Sequence, residues 1–329
     1  MSEEAVFKPS LPLLAVGGAE NPSAPLLPLL LTIEGCATQE EMNANVTATM
    51  ARGYTRINEF LSTCSGTCSI VGSGPTIKET YKELKGEVIA INSATRFLLE
   101  NGVVPRWAMI WDASPLCESF AIPHPDITYL VGARCHPSVF EKLSACKVVV
   151  WHAGGDHNIA DFLAEHNILE PMINGGSAGV TRAMYLACAL GYRDLHLFGA
   201  DSSYAEDGNT HVAGSLVPEK DMRVWIGNGP LSRAFRTTPE WCAQLEEYKL
   251  IYPLFKSIGL TMEVYGESMM GHMHSLLKVK HQNDPVVPHE FRKMEYKPAE
   301  DGEVQFVDAL VAKVESPQPT QGDVNGNAG

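Results

Sequence analysis

The chain has 329 residues, of which 45% are hydrophobic and 19% are charged, a composition typical of a soluble globular protein with a large core. Its formal net charge of −14 at pH 7 argues against a surface that neutralises nucleic-acid phosphates or anionic lipid, so we expect no nucleic-acid or membrane partner. An anionic ligand would have to be held by local groups.

The N-terminal segment and the cysteines bear on where the chain works. Residues 1–37 are rich in Pro and Leu, but they lack a basic start and their apolar runs are short and interrupted. We therefore expect neither a signal peptide nor a membrane span, and we interpret the segment as an arm that packs on the domain. The eight cysteines follow no regular spacing, which favours reduced, mostly buried thiols and a cytoplasmic location.

The central part of the chain alternates strand-like and helix-like segments. A helix is predicted over residues 38–62, because Thr38 and Glu41 have the spacing of a capping box and no proline follows. The strand-like runs beyond it are apolar throughout, which is typical of strands buried on both faces. The sequence therefore predicts an α/β fold with a doubly wound, mainly parallel, Rossmann-like sheet. The predicted strands are residues 68–72, 87–92, 107–111, 127–131, 146–151, 194–199 and 260–264, and the predicted helices are residues 76–85, 93–101, 137–144, 158–166, 177–190 and 240–258.

The end of the chain differs in composition from the centre. The segment "SPQPTQGDVNGNAG" is polar and has no periodic apolar face, which predicts disorder. We therefore predict three regions, an N-terminal arm at 1–37, a single main domain at 38–290 and a polar, disordered tail at 291–329.

A glycine-containing loop follows the first predicted strand. Ligands of open parallel sheets bind beyond the carboxyl ends of the strands, so this position is a candidate site. The loop reads Gly72-Ser73-Gly74-Pro75-Thr76, in which two glycines allow close backbone approach and the next helix start offers N–H groups to a phosphate. Ile77 stands where a dinucleotide fingerprint has its third glycine, and no Gly-Lys-Ser/Thr completes a P-loop. By itself the motif fits a phosphate-binding turn and a tight turn equally well.

Polar residues also follow the second and third predicted strands. Asn92 and Ser93 supply uncharged hydrogen-bonding groups that suit a base or a ribose. Asp112 follows "AMIW", where a carboxylate must be solvated, paired or bound to a metal. We interpret Asp112 as a candidate magnesium ligand, with a helix-cap or turn role as the alternative.

Two later segments complete the candidate site. Asp201 and His211 lie in "GADSSYAEDGNTHVAG", and histidine is the side chain whose pKa best suits proton transfer near neutrality. A loop histidine without a chemical role is the alternative. The segment "INGGSAGVTRAMYLACALG" begins with Gly175, Gly176 and Ser177 and continues as an apolar helix, so its start is a second candidate for holding an anion. The other histidines form no HExxH or comparable set, which argues against a histidine metal site.

Six motifs in one order resemble a known family. They are "IVGSGPT", "IAINSA", "NGVVPRWAMIWDASP", "NGGSAG", "ALGYRDLHLFGADSSY" and "DGNTHVAG". This series resembles the MptE-like domain, shared by archaeal 6-hydroxymethyl-7,8-dihydropterin diphosphokinases and bacterial motility accessory factors that glycosylate flagellin. It is more distantly similar to bacterial sialyltransferases that use a CMP-linked sugar. The resemblance covers roughly residues 40–275.

The resemblance implies a nucleotide-dependent transferase that passes a pyrophosphoryl group from ATP, or a nucleotide-activated sugar, to a hydroxyl-bearing acceptor. In the accessory factors, the segment that matches "DSSYAEDGNTHVAG" borders the active site. This implies that Asp201 and His211 lie at the active site of the present chain. The sialyltransferases use a histidine of a later loop as general base, which implies that role for His211. The residues implied to hold the nucleotide are Gly72, Ser73, Gly74, Asn92, Gly176 and Ser177.

The sequence also departs from these relatives. Ser73 stands where the sialyltransferases have Asn, and Thr76 where the family usually has Ser. The CMP-sugar enzymes have no acid matching Asp112, whereas a magnesium-dependent kinase uses one or two carboxylates with the substrate phosphates. Asp112 therefore favours the diphosphokinase-like or accessory-factor-like branch, with Mg²⁺ as a candidate cofactor.

Two other functions are weighed against the transferase. A non-catalytic nucleotide-binding or scaffold protein of the same fold would explain why Lys78 and Arg182 are the nearest basic residues to the two loops. An NAD-dependent oxidoreductase is disfavoured by Ile77 and by Asn92, which stands where that class has an acid. A homo-oligomer is compatible with the sequence.

Overall fold

A computed structural model describes residues 37–154, 157–166, 168, 170–173, 175–206, 208–212, 222–227, 231 and 233–286, together with the backbone of 6–7, 31–32 and 306–307. Apart from these short backbone pieces and residue 37, the predicted arm and the predicted disordered tail lie outside the described residues.

The described strands are β1 (Val6–Phe7), β2 (Leu31–Thr32), β3 (Thr55–Arg56), β4 (Thr67–Val71), β5 (Glu87–Ile91), β6 (Trp107–Ile110), β7 (Thr128–Gly132), β8 (Lys147–Ala153), β9 (Met172–Ile173), β10 (Asp194–Phe198), β11 (Met222–Ile226), β12 (Arg233–Thr237), β13 (Thr261–Val264) and β14 (Phe306–Val307). The described α-helices are α1 (Gln39–Met50), α2 (Ile77–Thr80), α3 (Ala94–Glu100), α4 (Pro137–Lys142), α5 (His157–Glu165), α6 (Gly179–Leu190), α7 (Pro239–Ser257) and α8 (Met269–Lys280).

The central sheet has the order β13-β10-β4-β5-β6-β7-β8-β9-β14, with β3 beside β8, and its strand pairs are parallel. From β4 the chain adds strands in sequence to β9, and it then returns to place β10 on the other side of β4. This reversal leaves a crevice beyond the carboxyl ends of β4 and β10, the topological switch point at which open α/β sheets bind ligands. The fold is the predicted doubly wound α/β arrangement.

The core covers both faces of this sheet, as the continuous apolar runs predict. All four residues of β6 are buried, and α6 buries most of its length. One face packs around residues such as Leu186 and Phe255, and the other around residues such as Phe140. Each fully buried Leu or Phe side chain contributes about 1.5–3 kcal/mol of hydrophobic stabilisation.

The predicted core elements are confirmed within two residues, except for the first helix and the helix predicted at 76–85, whose α-helical part is only Ile77–Thr80 and continues as a 3-10 helix at Tyr81–Glu83. The capping box of the first helix is present, because Thr38 Oγ1 accepts the Glu41 N–H at 3.2 Å and the Glu41 carboxylate accepts the Thr38 N–H at 2.8 Å. The predicted extension of this helix to residue 62 is wrong. The helix ends at Met50 because Gly53 adopts a positive φ of 66°, after which the chain forms β3 and one 3-10 turn.

The cysteines and the helices bear on two further expectations. Of the seven cysteines that the structure describes, five are buried, in agreement with the expected buried thiols. In the described part of the chain, every helix falls short of the length and apolarity that crossing a membrane requires.

Candidate functional site

A cleft with a cavity volume of about 140 Å³ lies at the switch point, beyond the carboxyl ends of β4, β5 and β10 and beside the first turns of α6 and α7. The described lining residues are Gly72, Ser73, Gly74, Ile91, Asn92, Gly179, Val180, Gly199, Ala200, Asp201, Ser202, Ser203, Thr210, His211, Trp241 and Gln244.

Two glycines bring the ends of β4 and β10 into backbone contact. The Gly72 N–H donates to the Phe198 carbonyl oxygen, and the Gly74 N–H to the Gly199 carbonyl oxygen, each at 2.8 Å. A Cβ on Gly72 would lie 2.4 Å from the Gly199 oxygen, and a Cβ on Gly199 would lie 2.4 Å from the Gly72 oxygen. Gly199 also has a φ of +56°. The loop therefore makes a close backbone contact between the ends of β4 and β10. The fold itself requires glycine at Gly72 and Gly199, whether or not a ligand binds.

Asp201 holds this glycine loop to the end of β10. Its Oδ2 accepts the Thr76 N–H at 2.8 Å, and its Oδ1 accepts the Thr76 hydroxyl at 2.5 Å. Burial raises the pKa of Asp201 to about 6, against the lowering effect of these two bonds. Both carboxylate oxygens are thus engaged by Thr76, which gives Asp201 the geometry of a positioning residue. Its predicted catalytic role stays a prediction.

Asn92 combines backbone strain with an unsatisfied polar atom. Its φ is +49°, a left-handed conformation that costs a non-glycine residue about 1–2 kcal/mol. Its backbone N–H donates to the Met109 carbonyl at 3.0 Å, but its buried Oδ1 has no partner among the described residues. A buried acceptor without a partner costs a further 1–3 kcal/mol or so. Backbone strain and unsatisfied polar atoms are concentrated at functional sites, and here both occur at Asn92, directly after β5.

His211 carries the second unsatisfied atom of the cleft. Its buried Nδ1 has no partner within the described part of the chain, and its ring centroid lies 5.9 Å from that of Trp241. The adjacent Val212 N–H donates to the Ser73 carbonyl at 2.9 Å, which ties this segment to the glycine loop. Burial lowers the pKa of His211, so the ring is neutral at pH 7 and can accept a proton.

The start of α6 already holds an anion from within the protein. The Ser177 N–H donates to both carboxylate oxygens of Glu247, at 2.7 and 2.9 Å, and the Thr181 hydroxyl donates to Glu247 at 2.7 Å. The predicted trio at 175–177 lies outside the described lining of the cleft, which α6 meets through its next residues. Glu247 of α7 thus occupies the position that the helix start offers to a negative charge. Ligand binding by the trio stays a prediction.

Asp112 also lies outside the described lining. Its Oδ1 accepts the Ser114 N–H at 2.9 Å, which is the turn role weighed as the alternative. Across the residues described, no group of three His, Cys, Asp or Glu side chains is arranged to hold a metal ion. A magnesium ion bound with substrate phosphates needs only one or two carboxylates from the protein, so the role of Asp112 as a magnesium ligand stays a prediction.

The cleft brings six of the predicted residues together, namely Gly72, Ser73, Gly74, Asn92, Asp201 and His211. Seven lie outside its described lining, namely Pro75, Thr76, Ser93, Asp112, Gly175, Gly176 and Ser177. Sequence reasoning missed Ser202, which has a φ of +54° and accepts a 3.0 Å hydrogen bond from Gln244 Nε2. The polar run after β10 could have signalled Ser202. Trp241 and Gln244 belong to α7, and no sequence pattern near them indicates that they line the cleft.

Comparisons with known proteins extend this description. A model of the family described as 6-hydroxymethylpterin diphosphokinase MptE-like matches residues 42–207. No curated protein matches the chain. Among solved structures, a MAf glycosyltransferase from Magnetospirillum magneticum AMB-1 is similar at 18% identity with a TM-score of 0.49, over 76% of this chain and 42% of that one. The chain thus spans less than half the length of that structure.

Proposed function

The chain belongs to the MptE-like family, and on that premise we propose that it is a transferase that binds a nucleotide donor in the cleft and passes an activated group to a hydroxyl acceptor. One observation carries this proposal. Two buried polar atoms without partners among the described residues, Asn92 Oδ1 and His211 Nδ1, belong to residues that line the same cleft at the switch point. A ligand with complementary groups would offset both costs.

The donor would lie against the loop at 72–74. Gly72, Ser73 and Gly74 line the crevice, and Ser73 offers a hydroxyl. Asn92 Oδ1 accepts hydrogen bonds, so it would take a donor group of the nucleotide, such as a ribose hydroxyl or an exocyclic amine. Asp201 would act indirectly, by fixing the loop through Thr76.

His211 would act as the general base. As the acceptor oxygen attacks the donor, a bond forms to phosphorus or to the anomeric carbon, and the bond to the leaving nucleotide breaks with its electron pair. The acceptor proton passes to the neutral imidazole, whose pKa burial holds below its ordinary value. A magnesium ion that takes part would enter with the donor phosphates as part of the substrate.

A second candidate function is nucleotide binding without chemistry. It is favoured by the absence of Lys and Arg from the described lining residues, since phosphoryl-transfer sites commonly place cations around the donor. Conversion of His211 to Ala separates the two functions. His211→Ala protein that binds nucleotide normally but loses turnover supports the transferase, and wild-type protein that binds but turns over no donor supports the alternative.

The donor site is tested with a thermal-shift panel of CMP, UDP, GDP, ATP and a CMP-sugar, each with and without magnesium. At 100 times its Kd, a nucleotide stabilises the folded state by about 2.7 kcal/mol. We expect one nucleotide to raise the Tm of the wild type and of the control variant Asn101→Gly, which changes an exposed asparagine at the end of α3, and to raise the Tm of Asn92→Gly much less. Glycine suits the positive φ at this position, so the variant removes the side chain without straining the backbone. If the nucleotide raised the Tm of Asn92→Gly as much as that of the wild type, Asn92 would not contact the donor and the proposed donor site would be wrong.

A further inference from the structure

A cationic cluster lies at the same edge of the sheet, outside the cleft. The guanidinium carbon of Arg134 lies 4.4 Å from the centroid of the Trp111 ring, and that of Arg182 lies 5.0 Å from it. Trp111 follows β6, Arg134 follows β7, and Arg182 belongs to the first turn of α6. We refer to these three residues as the Trp111 cluster.

Within the described residues the cluster has no direct ion pair, although the charge of Glu247 acts on Arg182 and raises its pKa, against the larger lowering by burial. None of the ion pairs between described residues includes Arg134 or Arg182. Arg134 Nε donates to the Trp111 carbonyl at 3.4 Å, and Arg182 Nη1 donates to two backbone carbonyls, those of Gly154 and Ile173, at 3.2 and 2.8 Å. The buried Nε of Arg182 lacks a partner in the described region. Two like charges share one ring, although the chain as a whole is strongly acidic.

The opposite end of β6 shows how the same protein treats an arginine over a tryptophan elsewhere. The Arg106 guanidinium carbon lies 5.0 Å from the Trp107 ring centroid, a geometry close to that of the Trp111 cluster. There, however, Arg106 donates to the Glu87 carboxylate. Arg106 is therefore in direct contact with a carboxylate, whereas Arg134 and Arg182 are in no direct ion pair among the described residues.

The Trp111 cluster adjoins the cleft through shared elements. The first turn of α6 lines the cleft with Gly179 and Val180, and it contributes Arg182 to the cluster. Asn92 lines the cleft and donates its N–H to Met109 of β6, the strand after which Trp111 stands. A molecule in contact with the cluster would therefore lie beside a ligand of the cleft.

We propose that the Trp111 cluster is an acceptor subsite that binds an anionic group, a carboxylate or a phosphate, while the nucleotide donor occupies the cleft. Guanidinium groups pair with these anions through two parallel hydrogen bonds, and such pairs strengthen where water is partly excluded. Burial and the nearby Arg134 lower the pKa of Arg182 to about 10, a cost that a bound anion reverses. The identification of the bound molecule as the acceptor rests on the proposed function.

Two tryptophans allow the subsites to be read separately. Trp241 lines the cleft, and Trp111 lies in the cluster. We would titrate inorganic phosphate and, separately, succinate at constant ionic strength, with and without the nucleotide found in the panel, and record tryptophan fluorescence. The wild type and Trp241→Phe should respond to the anion, and Trp111→Phe should not. The anion that binds with the lower Kd identifies the acceptor group as a phosphate or a carboxylate.

Affinity for the anion is then measured by calorimetry in charge variants. We expect Arg134→Gln to weaken binding at least tenfold, because Arg134 is only half-buried whereas Arg182 is buried, so Arg134 is the guanidinium that an anion can reach from solvent. The matched control Arg106→Gln, at the other end of β6, should leave it unchanged. Equal binding in wild type and Arg134→Gln, or no binding in the wild type, would overturn the subsite. Competition between phosphate and the nucleotide would assign the cluster to the donor and also overturn it.

The outcomes separate this proposal from the proposed function. A phosphate response at Trp111 in a protein that binds no nucleotide would overturn the donor site and keep the anion site. Nucleotide binding without any anion response would do the reverse.

Discussion

Polar groups at the amino ends of the central strands are paired with one another, whereas several buried polar atoms at the carboxyl ends have no partner among the described residues. At the amino edge, Glu87 accepts hydrogen bonds from Arg106 and Tyr192, and Trp107 Nε1 donates to the Tyr192 hydroxyl at 3.0 Å. At the carboxyl edge, Asn92 Oδ1 and the two other buried atoms described above have no partners in the described chain. The polar groups at the amino ends of the strands thus stabilise the fold, whereas those at the carboxyl ends include donors and acceptors that the described residues leave available to a ligand.

The largest expected effect is at the backbone contact beneath the cleft. Gly199→Ala should lower the free energy of unfolding by more than about 3 kcal/mol, because its Cβ would lie 2.4 Å from the Gly72 oxygen at a positive φ. Gly102 has a φ of +75° with no described atom within 4 Å of an added Cβ, so Gly102→Ala should cost only about 1 kcal/mol. Chemical denaturation measures both, and equal losses would show that conformation rather than contact governs Gly199.

The next effect depends on pH. The folded state raises the pKa of Asp201 from 3.8 to about 6, so it holds this proton more tightly than the unfolded chain does. Stability from this group is full below about pH 4 and is lost as pH rises to about 6, by about 3 kcal/mol in total. Asp201→Asn removes the titration and can keep both contacts to Thr76. The stability of wild type relative to Asp201→Asn should therefore fall between pH 4 and 7, and a constant difference would contradict the raised pKa.

A smaller effect is expected at the amino edge. Tyr192→Phe removes the hydroxyl that connects Trp107 to Glu87 and leaves the buried indole N–H without its acceptor. We expect a loss of about 1–2 kcal/mol in the free energy of unfolding and an unchanged nucleotide affinity. Titration calorimetry beside denaturation checks both quantities. A changed affinity would mean that the two edges are coupled.

The smallest effect on stability is expected from Asn92→Gly. The variant relieves the positive φ and removes the unsatisfied Oδ1, which offsets the greater entropy of a glycine in the unfolded chain. The free energy of unfolding should stay within about 0.5 kcal/mol of the wild-type value, while nucleotide affinity falls at least tenfold. A large loss of stability would place Asn92 with the structural residues of the opposite edge.

The fold and half of the site follow from local sequence patterns. Continuous apolar runs identify the buried strands, and the rule that ligands lie beyond strand ends selects Gly72, Asn92 and His211 without knowledge of the packing. The pairing of Asp201 with Thr76 joins residues far apart in the chain, so no spacing reveals it. The same limit applies to Glu247, which reaches the start of α6 from α7.

Among the elements that were not predicted, the hairpin of β11 and β12 and helix α8 were missed for reasons of composition. The hairpin of β11 and β12 lies outside the central sheet, so its strands lack the continuous burial that marks the others. Helix α8 includes Gly271 in its first turn and has a weak amphipathic pattern, so its sequence does not stand out as helical.

The contact between Gly72 and Gly199 constrains both positions at once. Each added methyl group would strike the other residue's carbonyl oxygen, so neither glycine can be relieved by a change at its partner. A substitution at either position cannot be rescued by a second mutation at the other. The two glycines are far apart in the sequence but depend on each other in the structure. Relatives that keep this crevice should therefore retain both, and the pair can be used to search for the crevice in divergent sequences.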